Sequence, residues 1–271
     1  MILHTPDFNL EATLESGQVF GFKKITAGTF EGFLMGHLVQ LSQIQDQLWI
    51  AIGKSPLSEK EVRTFFDLDR DLNPFYKLMS QEEQLQPALE KFKGLRLIQQ
   101  DSWEALAGFI ISSNNNIKRI QKIWGSLSQH FCPDSNSFPS PEALSKSKDA
   151  TLRGLGLGYR APFLLKTARS ISKNPKQLDQ IRKADYDKAR ELLLKFPGVG
   201  RKVADCVLLF GFQKHEAFPV DVWIARAMKK LYFRKRKVAE EKIADFARKR
   251  WGQWAGYVQQ YLFHAVRAGC L

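Results

Sequence analysis

The sequence predicts an α+β protein, with an N-terminal antiparallel β-sheet subdomain followed by a mostly α-helical body. Two features carry that prediction. Up to about residue 55, apolar and polar residues alternate in short runs broken by Gly, Asn, Asp and Ser. From Ser58 the spacing changes to the longer period of helices that bury one face. Helices packed on helices beside one sheet satisfy both patterns.

The strand-like runs are Phe8–Leu10, Gln18–Lys23, Thr29–Leu34, Leu38–Leu41 and Leu48–Ile52. Ser16-Gly17-Gln18 joins the first two; its glycine either makes an ordinary turn or offers bare backbone to a ligand. Ser58-Glu59-Lys60-Glu61 starts a helix, with a capping serine and an acidic first turn. Helical periodicity then covers 81–92, 102–111, 117–130, 141–153, 160–172, 185–195, 201–212, 222–232, 238–250 and 255–268. Cys132–Ser140 and Asn174-Pro175 read as loops. The chain divides into 1–90, the sheet with its flanking helices, and 91–271, the helical body.

Composition narrows the function. With 41 Lys+Arg against 28 Asp+Glu the chain carries +13, which favours a polyanionic partner such as nucleic acid, although solubility alone also tolerates it. No apolar run approaches the ~18 residues of a membrane span, and no signal-peptide pattern opens the chain. Cys132, Cys206 and Cys270 form no CxxC pair, which argues against zinc and iron–sulfur sites and fits a reducing cytoplasm.

Leu192–Asp221 concentrates the chemistry. Phe196-Pro197-Gly198-Val199-Gly200 is a tight hairpin between two apolar helices. The unpaired amides at the second helix's start suit a phosphate, and outward-turned hairpin carbonyls suit a cation bridging to it. Lys202 occupies that helix's first turn, where a positive charge is disfavoured by up to ~1 kcal/mol. It is either a basic contact on a DNA-binding face or a nucleophile. Asp221 is either a plain N-cap or the partner of Lys202. Reach permits the second reading, because the helix to Phe212 rises about 15 Å while the eight residues Gln213–Val220 extend over roughly 25 Å.

Other stretches read two ways. Cys206 follows Lys202 by one turn, and Phe263 follows Gln259 likewise. These are core positions, or a slot of thiol, ring and amide fitted to a planar base. Ser112–Asn116 is a helix–helix turn or a set of amides for base edges, helped by Lys118 and Arg119. Gly154–Arg160 is a flexible helical hairpin, or a wedge in which Tyr159 and Arg160 enter a base stack. Arg234–Lys237 is a solvated basic patch.

Together these segments become specific. FPGVGRKVADC…FPVD resembles the helix–hairpin–helix (HhH-GPD) DNA glycosylases, and SGQVF (16–20), IISSNNNI (110–117), LGLGYRA (155–161) and WAGYVQQYLF (254–263) narrow the resemblance to the 8-oxoguanine DNA glycosylase/AP-lyase family. The resemblance covers nearly the whole chain. It implies a base-excision repair enzyme, a bifunctional glycosylase and β-lyase that removes 8-oxoguanine opposite cytosine from double-stranded DNA and cuts the abasic strand, with the DNA cleft between two helical subdomains. Lys202 would attack the anomeric carbon and form a Schiff base, and Asp221 would support the developing positive charge. Cys206 and Phe263 would sandwich the flipped base, Gln259 would read its Watson–Crick edge, and Gly17 would accept its N7–H. Asn114, Arg119 and Arg160 match the readers of the orphaned cytosine, and Tyr159 the wedge.

Gly198 and Gly200 match the phosphate hairpin, and the carbonyls of Leu194, Phe196 and Val199 match its cation site, which takes Na, K, Ca or Mg. No cofactor and no iron–sulfur cluster are implied. A monomer is expected, cytoplasmic and nucleoid-associated in a prokaryote or nuclear in a eukaryote. Trp223 departs from the pattern, standing where many members carry a histidine. Two alternatives are a related glycosylase for another damaged base and a non-enzymatic hairpin module.

Overall fold

Five antiparallel strands form one sheet in the order β1-β5-β4-β3-β2. In the computed structural model, which describes residues 1–53, 57–135, 137–234 and 236–271, they are β1 (Ile2–His4), β2 (Phe22–Thr26), β3 (Thr29–Leu34), β4 (His37–Ile44) and β5 (Gln47–Ile52). Asn136 of the loop at 132–140 and Lys235 of the basic run lie outside the described residues. The alternation sets the sheet's faces: Phe30, Leu34, Val39, Leu41, Leu48 and Ile50 point inward and are buried.

Two of the expected strands differ. Phe8–Leu10 is not a strand, because the Asn9 side chain accepts from the Ala12 amide at 2.9 Å and caps helix α1 (Leu10–Glu15). Gln18–Gly21 leaves the sheet because the Gln18 amide is spent elsewhere. Fully buried, it donates to the Thr13 and Arg96 carbonyls and accepts from the Ile98 amide at 2.7 Å. The edge strand β1, too short to show a period, pairs Ile2 with Trp49.

The expected helix start at Ser58 is a full capping box leading α2 (Glu59–Phe65). Next come α3 (Asn73–Ser80), α4 (Gln86–Phe92), α5 (Ser102–Ser112) and α6 (Ile117–Phe131). The predicted helix 141–153 is two pieces, α7 (Pro141–Ser145) and α8 (Asp149–Leu152), followed by a wide turn with Gly156 at φ 97°. Then come α9 (Ala161–Lys173), α10 (Lys176–Lys183) and α11 (Tyr186–Leu193). Periodicity missed α10, which buries only Ile181. The last four are α12 (Arg201–Phe212), α13 (Val222–Leu231), α14 (Glu240–Trp251) and α15 (Ala255–Arg267).

The core has two parts. One lies under the sheet with α1 and α2, and the larger one fills the helical body and takes in Phe75 and Phe92 of α3 and α4. Gly211 of α12 lies so close to Ala105 that a Cβ there would meet it at 2.8 Å, so α12 and α5 approach backbone to backbone. Gly256 lets α15 reach the segment after α12, its amide donating to the His215 carbonyl at 2.8 Å. That segment then carries the chain back to Asp221.

Candidate active site

The hairpin before α12 is fixed by packing. Gly198 has φ 79°, and a Cβ there would meet the Phe163 ring at 2.7 Å, so only glycine allows this turn against α9. Gly200 is the N-cap of α12 and contributes no side-chain bond, and nothing lies within 4 Å of where its Cβ would stand. The first-turn amides of α12 therefore face open space, an arrangement suited to a phosphate. Of the three carbonyls expected to hold a cation, that of Phe196 accepts the Val199 amide at 3.1 Å; a carbonyl has a second lone pair to offer.

Lys202 and Asp221 come to the same cavity, as the reach argument permits. Both border one cavity of about 630 Å³, together with Gly17, Phe109, Trp223 and Phe263. The Lys202 ammonium lies 5.6 Å from the centroid of the Phe109 ring. Asp221 is indeed an N-cap, accepting from the Ile224 amide through Oδ1 at 2.8 Å. The cap locks the carboxylate's orientation while leaving Oδ2 to the cavity's chemistry.

Deeper in, a narrow slot of about 40 Å³ joins Gly17, Lys202, Cys206, Asp221, Gln259 and Phe263. Six residues drawn from both ends and the middle of the chain thus converge. Burial pushes the Cys206 thiol up to about 11, and Lys202 offsets this only in part, so it is an uncharged wall. Gln259 is 5% exposed and its Oε1 is buried with no hydrogen-bond partner. A buried amide left unsatisfied is costly unless a ligand completes it. Gly17 has φ 83°, and its place is fixed on two sides. Gln260 donates to the Ser16 carbonyl at 3.0 Å, and Gln18 is stapled to 96–100.

Sequence reading missed several members of this site. Arg267 lines the larger cavity, lies 5.5 Å over the Phe263 ring and donates to the Glu15 carbonyl at 3.3 Å. Its spacing of four from Phe263 was the available signal. Phe109 gave none, since its approach to Lys202 depends on the α5–α12 packing.

The residues expected at the orphaned base form a separate cluster. Tyr159 is 48% exposed and donates to the Ser113 carbonyl at 3.0 Å. Arg160, expected to face DNA, is 2% exposed; its guanidinium donates to the carbonyls of Ser113 and Asn114 and holds that turn. Asn114 has φ 48° and is exposed, as is Arg119. Asn116, not Asn114, caps α6 by accepting from the Arg119 amide at 3.0 Å.

A glycine hairpin at the start of α12, with Lys202 and Asp221 on one cavity and a narrow slot beside them, is the arrangement of a helix–hairpin–helix DNA glycosylase. The family comparisons agree: 8-oxoguanine DNA glycosylase, N-terminal domain, matches residues 1–106, and HhH-GPD superfamily base excision DNA repair protein matches residues 107–253. The chain is 34% identical to the probable N-glycosylase/DNA lyase of Methanothermobacter thermautotrophicus, over 98% of this chain and 96% of the relative. It is 31% identical to the N-glycosylase/DNA lyase OGG1 of Arabidopsis thaliana, over 97% of this chain and 78% of that one.

Among solved structures, it superposes with a TM-score of 0.90 at 30% identity on the Clostridium acetobutylicum 8-oxoguanine glycosylase/lyase in complex with double-stranded DNA containing cytosine opposite 8-oxoG, covering 100% of this chain and 99% of that one. The chain belongs to the 8-oxoguanine DNA glycosylase family of the HhH-GPD superfamily. No described helix is long and apolar enough to cross a membrane.

Proposed function

We propose that the chain is a base-excision repair enzyme that removes 8-oxoguanine opposite cytosine in duplex DNA and then cuts the strand by β-elimination. The observation that carries this reading is the slot, which brings Lys202 and Asp221 together with the Gly17 backbone and the unsatisfied amide of Gln259. The flipped base stands between Cys206 and Phe263. Gln259 Oε1 accepts from the N1–H and N2–H of the base, and its Nε2 donates to O6. The Gly17 carbonyl accepts N7–H. Ordinary guanine has a bare N7, an acceptor that this carbonyl repels.

Lys202 Nζ, as the free amine, attacks C1′ while the glycosidic electrons leave with the base, which takes up a proton. Asp221 offsets the positive charge that develops on the sugar. Ring opening gives an iminium at C1′. Loss of a C2′ proton then expels the 3′ phosphate, and water hydrolyses the imine to free the lysine. A glycosylase that only activates water needs Asp221 but no lysine in this place, and a plain binding module needs neither. Asn114, Arg119, Tyr159 and Arg160 serve the opposite strand. The carbonyls of Leu194, Phe196 and Val199 are oxygen donors suited to a hard cation that bridges to a phosphate.

Borohydride added to the protein with an 8-oxoguanine:cytosine duplex is expected to trap a covalent adduct. Lys202→Gln is expected to abolish trapping and keep duplex binding. A folded wild-type protein that yields no adduct refutes the lyase assignment.

A further inference from the structure

The molecule has a second large cavity, a groove of about 670 Å³ between the outer strands β2–β4 and helix α6. Phe20 and Lys118 border both this groove and the lesion cavity, so the two lie side by side. Lys23, Lys118 and Lys122 line it and are exposed, and among the described residues none makes an ion pair, whereas neighbouring Lys24 is held by Glu11 and Glu15. Gly125, in mid-helix, lets the Lys23 ammonium lie across α6, 3.8 Å from where a Cβ would stand.

Between the lysines the wall is aromatic and partly polar. Phe33 and Trp124 supply rings, Trp124 being braced by Phe138 at 3.9 Å. Ser128 is 3% exposed, and its hydroxyl is buried without a hydrogen-bond partner. Glu31 also lines the groove and accepts from Gln40 at 3.0 Å. Free cations at the rim ask for an anion. Rings, an unsatisfied hydroxyl and a carboxylate ask for a flat group that both donates and accepts. The volume is that of a small-ligand site.

We propose that this groove is a second nucleotide-binding site, separate from the lesion slot. It takes one nucleoside monophosphate unit, the phosphate on Lys23, Lys118 and Lys122 and the base against Phe33 and Trp124 with Ser128 at its edge. The unit is either a free nucleotide or a nucleotide of the strand that continues beyond the lesion. The strand source rests on the duplex substrate proposed above; the free source does not.

The test uses the full chain and titration calorimetry with deoxyguanosine monophosphate. Saturable binding is expected. It is expected to weaken about tenfold or more, the equivalent of one lost charge-assisted contact, in the Lys23→Ala/Lys122→Ala double variant and in Gly125→Gln. The second variant fills the groove while favouring the helix. Gln259→Ala, in the lesion slot, should leave it unchanged. A parallel measurement follows duplex binding against salt. If the strand uses the groove, the double variant's slope of log K against log salt becomes shallower by about 0.9 for the one phosphate held there, and an unchanged slope with intact nucleotide binding assigns the free nucleotide. Nucleotide binding lost in Gln259→Ala but kept in Gly125→Gln places the ligand in the lesion slot and overturns the proposal. So does the absence of both nucleotide binding and any slope change. Borohydride trapping by the groove variants is expected to match wild type, so failure of the excision reading is seen separately.

Discussion

Gly17→Ala tests how the slot reads its base. At φ 83° an alanine costs about 1–2 kcal/mol in backbone strain, which for a chain of this size lowers Tm by roughly 2–8 °C. The new Cβ would also stand 3.0 Å from Ile117 Cδ1, 3.1 Å from Arg267 Nη1 and 3.3 Å from Phe263 Cε1. Each neighbour must give by a few tenths of an ångström, and Phe263 is one wall of the base slot. Since a misplacement near 1 Å costs as much as ~100-fold in rate, kcat/KM for 8-oxoguanine should fall by about tenfold. The assay pairs single-turnover excision with affinity for a duplex holding a stable abasic analogue, which has no base to read. Expected are slower excision and unchanged abasic affinity. Equal losses in both would refute the reasoning, because the damage would then be general and not at the slot.

Trp223 is 49% exposed at the cavity mouth, so Trp223→Ala should leave Tm unchanged while weakening duplex binding by about 1–3 kcal/mol of lost stacking, read by fluorescence anisotropy. Arg160→Ala leaves the carbonyls of Ser113 and Asn114 without their donor and should cost about 1–3 kcal/mol in urea unfolding, the range for acceptors left unsatisfied. Asp205 is buried and accepts from the Tyr186 hydroxyl at 2.7 Å. Burial raises its pKa from 3.8 to about 6. The folded value being the higher one, the native state holds the proton more tightly, and the contribution present below pH 3.8 is lost as pH rises through about 6. Asp205→Asn keeps an acceptor without ionising, so its stability should gain on wild type by up to about 3 kcal/mol between pH 4 and 7. Parallel pH profiles in urea unfolding would count against this.

Where a residue's neighbours lie close in sequence, the sequence was legible. The capping box at Ser58 rests on contacts within a few residues, and the alternation of β3 to β5 is written in adjacent positions of each strand. That Lys202 and Asp221 could border one cavity needed only a chain-length estimate. The burial of Arg160 was not legible, because nothing local shows that its guanidinium would find the Ser113 and Asn114 carbonyls, more than forty positions earlier. Gln18–Gly21 looked like a strand because its spacing allowed one; distant partners at Arg96 and Ile98 won the Gln18 side chain. The base-reading residues were found through resemblance, since no physical pattern links residue 17 to residue 259.

Helix α15 has a consequence for how such an enzyme can fail. Gln259 and Phe263 alternate along it with Tyr257 and Tyr261, both fully buried in the main core. The residues proposed to read the base and those that hold the core therefore lie on two faces of one helix. A polypeptide cut short before this helix would retain Lys202 and the hairpin, the proposed nucleophile and phosphate cradle, yet it would lose the rings that hold the body together. The hazardous intermediate, a cutter without judgement, is thus the species least able to persist.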